Sequence, residues 1–257
     1  MCSLHHQRKY FKEEFGLHEP SERKLGQELV RKYCGGSSSL VSKGHYCYDV
    51  DFLKSLESLL QIDELLEQIE NPHFNESDVM ADMCDGEAFR SHPLYGIDPQ
   101  ALQVILYYDD LEICNPLGSS VKKHKLGAFY FTLGNILPRN RSLLHSIQLL
   151  AIAKTSIIQL YGIDVILETF MTSIKILEEG YDFLVRGTQR NMKGTLLLVA
   201  ADNLASHYVG GYKALHSALR KCRYCLATGV DMSMKVWLLR SLLATYCTIK
   251  YCTLVYY

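Results

Sequence analysis

The sequence predicts an α/β fold, a mixed sheet in which an antiparallel meander is joined through a crossover helix to a parallel strand. Three observations carry that expectation. Leu102 to Tyr108 is β-branched and aromatic, as strands are. Thr195 to Ala201 is a continuous apolar run, which suits an interior strand covered on both faces. Between them, Ile163 to Glu178 repeats its apolar residues at helical spacing.

The elements follow in chain order. Residues 1–50 read as a polar, partly helical lead-in, with a helix expected over Ser21 to Tyr33, capped by Ser21 and ended by Cys34-Gly-Gly. Residues 51–100 read as a helix-and-loop attachment. Phe52, Leu53, Leu56, Leu59, Leu60, Leu66 and Ile69 recur at steps of three and four, and Asn71-Pro72 closes that helix. Pro72, Gly86, Pro93, Gly96 and Pro99 then punctuate a loop, and Met83 to Glu87 reads as a turn.

The core is expected over 101–232. The first strand, Leu102 to Tyr108, delivers Asp109 and Asp110 at its end. Leu126 to Leu133 returns, Ser146 to Ala153 makes a third strand, and Ile163 to Glu178 crosses over with Ile163, Ile166, Leu167, Phe170, Ile174 and Leu177 on its buried side. Thr195 to Ala201 then lies beside the first strand and stops at Asp202. That order is the order of an RNase H-like sheet. Residues 233–257 form an atypical apolar tail.

Composition bounds the rest. With 257 residues, 48% hydrophobic and 21% charged, the chain can bury a core and is not of disordered type. Its net charge of −1 hides an asymmetry. Beyond Asp202 stand Lys213, Arg220, Lys221, Arg223, Lys235, Arg240 and Lys250 against Asp231 alone, a balance that attracts phosphates or simply faces water. The nine cysteines are scattered and odd in number, and MCSLHHQRKYFKEEFG is too polar for a signal peptide. A nuclear or cytoplasmic, non-secreted protein with reduced thiols is therefore expected. Val236 to Tyr257 has about the length of a membrane span. Arg240 and Lys250 interrupt it, so no membrane partner is expected.

Neighbouring first and last strands would set two carboxylates side by side, where they repel unless a cation lies between them. Hard oxygen ligands suit Mg²⁺ or Mn²⁺. Asp109 and Asp202 are the expected pair, with Asp110 as the alternate on the first strand. The competing reading of Asp202 is a helix N-cap before Asn203 to His207. Cys222 and Cys225 form a Cys-x-x-Cys pair, half of a tetrahedral zinc site or two reduced thiols. The absence of phosphate-cradling glycine loops and serine-nucleophile motifs excludes the commonest nucleotide and hydrolase signatures.

Four phrases occur together and in order: Tyr107 to Gly118 (YYDDLEICNPLG), Lys125 to Asn135 (KLGAFYFTLGN), Ala201 to His207 (ADNLASH) and Cys222 to Cys225 (CRYC). They resemble the transposase-derived open reading frames found in multiple copies in animal genomes and, more distantly, CACTA (En/Spm-type) DDE transposases. The resemblance covers roughly residues 50–232. It implies an RNase H-like nuclease domain, Mg²⁺ at paired acids on Asp109 and Asp202, and DNA transposon ends as the partner. The family's last Glu lies well downstream of the second acid, whereas this chain has no Glu beyond Glu179. The "ADxPA" phrase of the CACTA enzymes also reads Ala201-Asp-Asn-Leu-Ala205 here. The expectation is a C-terminally truncated transposase remnant that binds its cation weakly and cleaves poorly. A non-catalytic DNA- or protein-binding module on the same scaffold is the alternative.

Overall fold

The structure is a computed structural model and describes residues 4–15, 18–34, 36–74, 79–113 and 125–212, with 219, 228 and 230. Among these, helix α1 spans Leu4–Phe15, and strands β1 (Ser21–Cys34) and β2 (Ser37–Asp49) form a long hairpin. Helices α2 (Phe52–Leu59) and α3 (Asp63–Glu70) precede a 3₁₀ turn at Met83–Asp85 and the short α4 (Glu87–Arg90). Next come β3 (Leu102–Glu112), β4 (Lys125–Leu133), 3₁₀ turns at Pro138–Asn140 and Leu144–Ser146, and β5 (Gln148–Lys154). Helices α5 (Thr155–Tyr161) and α6 (Ile163–Glu179) lead to a two-stranded ribbon, β6 (Tyr181–Val185) with β7 (Thr188–Met192). Strand β8 (Gly194–Ala200) and α7 (Asn203–Val209) end the described elements.

Six strands pair in the order β1-β2-β5-β4-β3-β8. β3 and β8 run parallel, with Leu102 opposite Gly194 and Tyr107 opposite Ala200, while β2 meets β5 antiparallel through Cys47–Asp49. At the other end of the hairpin made by β3 and β4, the Gly134 N–H donates to the Gln103 carbonyl, so the start of β3 meets the end of β4. The stretch β5-β4-β3-β8, with its crossover through α6, is the mixed α/β arrangement expected from sequence and is consistent with an RNase H-like sheet.

Compactness divides the chain into two units. The first comprises residues 1–63, 110–130 and 148–191. In it α6 buries Ile166, Leu167, Phe170, Ile174 and Leu177, the residues its spacing selects, apart from Ile163. Phe170 meets Phe52 of α2 edge-on at 5.1 Å between ring centroids, a geometry that aromatic quadrupoles favour. Asp51 caps α2, its carboxylate accepting the Lys54 N–H. The helix expected as one piece over 51–70 is two. Leu60 and Leu65 are both fully buried five residues apart, a step that one straight helical stripe cannot make.

The second unit comprises residues 64–109, 131–147 and 192–257. Leu102, Val104, Ile105 and Leu106 of β3 and Phe131 and Leu133 of β4 are buried in its core. Two polar side chains fix where β3 begins. Asn135, itself buried, accepts the Gln103 N–H and donates to the Ala101 carbonyl. The Tyr95 hydroxyl donates to the carbonyls of Leu102 and Thr195, tying the parallel strands together at their starts. A buried backbone group without such a partner costs about 1–3 kcal/mol, so these bonds hold the strand register that carries the acids.

One expectation fails outright. Ser21 to Tyr33 is a strand, so the lead-in over 1–50 is helical only in α1 among the described residues and is mostly a β-hairpin. Its apolar residues sit at helical steps by coincidence. Most of the ribbon faces water on both sides and thus shows no period-two pattern. β1 bulges between Lys24 and Gly26. A Cβ at Gly26 would lie 2.1 Å from the Tyr161 hydroxyl, which bonds His45 Nδ1 at 3.0 Å. Glycine is therefore required for the close approach. Among the described residues no single helix is long and apolar enough to cross a membrane; α5 and α6 reach that composition only as a pair bent by 85°.

Candidate functional site

Strand β3 runs on past Tyr108, so Asp109 and Asp110 stand within its last third rather than just after it. The strand is buried from Leu102 to Leu106 and exposed from Asp109 onward. Asp109 and Asp202 each lie two residues beyond the last paired residues, Tyr107 and Ala200, of the parallel pair. Asp202 is exposed and is the N-cap of α7, its Oδ1 accepting the Ala205 N–H at 2.7 Å. The capping role weighed from sequence is thus real. It engages one carboxylate oxygen and leaves the metal reading to the geometry of the strand ends.

Asp110 belongs to the first unit and accepts a 3.1 Å bond from Thr155 Oγ1 at the start of α5. Neighbouring residues of a strand point to opposite faces, so Asp109 and Asp110 cannot both turn toward β8's end. Cys222 and Cys225 lie outside the described residues. So do Asp231, the basic residues from Lys213 to Lys250 and the apolar run from Val236.

A cluster that the sequence reading passed over lies in the second unit. His73, Asp82 and Cys84 bring one potential ligand atom each within 4.8 Å of one another, the only group of three or more such residues among those described. Asp82 is the hub. His73 Nε2 bonds its Oδ2 at 2.7 Å, Arg141 Nη1 donates to Oδ1 at 2.7 Å and Arg141 Nη2 to Oδ2, while the Met83 N–H also donates to Oδ1. Arg141 further donates to the Gly134 carbonyl at the end of β4.

Burial by itself would raise the Asp82 carboxyl, but the bonds from Arg141, His73 and Met83 outweigh it and hold the group below the ordinary carboxylate range. Burial pushes the Cys84 thiol up to about 11, with Asp82 and Asp85 adding to the effect. A protonated thiol beside a carboxylate already forked by arginine is a poor cation site, because a metal would have to displace the guanidinium and the thiol proton. The cluster reads as an ion-paired structural knot. Asp82 also caps the 3₁₀ turn that the sequence reading placed over Met83 to Glu87. The missed signal was His73, ten residues upstream of the turn and beyond any ligand spacing.

A cleft of about 590 Å³ lies in the first unit, lined by Arg23, Asp49, Phe52, Ile166 and Glu168 among others. It contains none of Asp109, Asp110 and Asp202. Its charged groups are spent on one another. Arg23 Nε donates to Asp49 Oδ2 at 2.7 Å, and its other nitrogens to the carbonyls of Val165 and Ile166. The Asp49 bond is the main reason the guanidinium holds its proton more tightly than usual. Cleft volume alone does not make it a reaction centre.

No family profile matches the chain, and no curated protein matches it.

Proposed function

We propose that the chain derives from a cut-and-paste DNA transposase in which Asp109 and Asp202 form a two-legged cation site, with no third acid grouped with them among the described residues. The observation that carries this reading is the parallel pairing of β3 with β8. Both acids follow the last paired residues by the same two positions, which supports a shared location at the ends of the two strands. Their exposure and the absence of any third carboxylate, histidine or thiol grouped with them among the described residues support weak rather than tight binding. Bound there, Mg²⁺ or Mn²⁺ would supply charge neutralisation for an attacking water and a departing 3′ oxygen.

The chain's own residues would do the rest. Asp109 offers a carboxylate from the rigid strand, and Asp202 offers Oδ2 while its Oδ1 holds the first turn of α7. Two carboxylates alone orient the cation poorly. We therefore expect little or no cleavage. Incubating the full chain with an end-labelled duplex and Mn²⁺ should give no nicking or strand transfer above that of the D109N/D202N double variant. Efficient cleavage that persists in that variant would overturn the reading. The basic composition beyond Asp202 favours a second, non-catalytic role in gripping DNA, for which binding should weaken steeply between about 50 and 200 mM salt.

A further inference from the structure

We infer that the edge strand β1 is a self-complementary dimerisation edge, which pairs antiparallel with β1 of a second copy of this chain about a two-fold axis at Val30. Among the described residues β1 ends the sheet and pairs with β2 alone. β2 in turn meets β5 only through Cys47–Asp49. From Gly26 to Cys34 the hairpin therefore extends as a two-stranded ribbon, roughly 30 Å long at about 3.3 Å per residue, in unbroken register. An isolated ribbon of this kind is marginal in water, and its open edge is a template for another strand. The bulge at Lys24/Gly26 disrupts the edge only at its base.

The side chains specify the partner. Residues directly opposite in an antiparallel pair share a face, and alternate residues of a strand share one too. Leu29, Arg31 and Tyr33 therefore line one face with Ser42, Leu40 and Ser38 beside them. Leu29 is 71% exposed, Tyr33 73% and Leu40 64%, which is a large apolar array for an unpartnered arm. On the other face Glu28, Val30 and Lys32 stand beside Lys43, Val41 and Ser39.

A two-fold axis at Val30 pairs residue 30 with itself, 28 with 32 and 29 with 31. One row across the four strands then reads Val41, Val30, Val30, Val41. The flanking row reads Lys43, Glu28, Lys32, Ser39, which sets Glu28 between its own Lys43 at 2.9 Å and the Lys32 of the second copy. Lys43 and then His45 already keep the Glu28 carboxyl below its usual range, so it is charged for that role. On the opposite face Leu29 and Leu40 of both copies meet around two Arg31 side chains. Moving the axis to residue 28 sets Lys24 against Lys32, and moving it to 27 sets Arg23 against Arg31. Those two registers are repelled, whereas the axis at Val30 joins Glu28 to Lys32 and Val30 to its own copy.

Sedimentation velocity on the full chain over a concentration series tests this. The wild type is expected to dimerise, and Lys32→Glu, which faces Glu28 of the other copy with a like charge, to weaken the dimer at least about ten-fold. Glu28→Lys should do the same, and the double variant E28K/K32E should restore the dimer. Lys32 is exposed and lies apart from the Glu28–Lys43–His45 group, so Lys32→Glu keeps the test valid even if Glu28→Lys folds poorly by circular dichroism. A monomer at every concentration up to about 100 μM, a dimer indifferent to Lys32→Glu, or a folded double variant that stays monomeric would each overturn the proposal.

Discussion

Asp82 and Asp109 stand in the same compact unit, and their surroundings differ in every respect that decides what a carboxylate does. The Asp82 side chain is only 7% exposed, forked by Arg141, bonded by His73 and engaged by a backbone N–H. Asp109 is exposed at the end of a buried strand, with Asp202 an equal distance past the paired register. The first has its charge neutralised by the fold, so it stabilises. The second has its charge held out to solvent, so it is open to a cation. Proximity of ligand-type atoms does not by itself distinguish a structural acid from an open one; the count of partners already taken does.

The sharpest way to break this contrast is at Arg141. Replacing it by alanine leaves Asp82 buried without its main partner and should cost about 3–5 kcal/mol in urea unfolding. Asp109→Asn should move the midpoint by no more than about 0.5 kcal/mol. If the two changes cost alike, the division between structural and open acids is wrong.

The pH dependence sharpens it further. Asp82 is held below its unfolded value, so its contribution is complete above about pH 4 and is lost as pH falls through the folded-state value. Stability should therefore drop on acidification below about pH 4 with a steeper slope in the wild type than in Asp82→Asn, measured by thermal melts from pH 6 to pH 2.

Outside that unit, Gly26→Ala should cost about 1–2 kcal/mol. The new methyl forces the Tyr161 hydroxyl from His45, and a loss of the His45–Tyr161 contact should show in the tyrosine near-ultraviolet signal. The smallest expected effect is at Asp202. Asp202→Ala removes the α7 cap for about 1 kcal/mol, while Asp202→Asn, itself a good cap, should cost only a few tenths. That difference isolates the capping role from any role in holding a cation.

Much of this was legible in the residues. The unbroken apolar run of β8, the aromatic and β-branched β3 and the stripe of α6 each announce themselves because burial on both faces or on one stripe leaves a local pattern. The β1–β2 ribbon did not, since residues exposed on both faces carry no alternation. Its one honest signal was the Gly35-Gly36 pair between two runs of similar length, a hairpin dipeptide. The β6–β7 ribbon and α5 were passed over for a related reason. They are short, and each is bounded by a glycine at positive φ, Gly162 and Gly187, that reads as loop. The positions of Asp109 and Asp202 near the ends of their strands were legible because strand ends are marked in sequence. The Asp82 knot was not, because it joins His73, Asp82 and Arg141 across a long sequence separation that only the fold closes.

Asp109 and Asp202 are expected to take the same cation. Electron paramagnetic resonance of free Mn²⁺, titrated against the full chain, reads this directly. One weak site is expected in the wild type, lost in Asp109→Asn and equally lost in Asp202→Asn although asparagine preserves the helix cap. A site that survives either single substitution, or that vanishes only with changes at His73 or Cys84, would contradict the shared-cation reading and with it the physical case for nuclease ancestry.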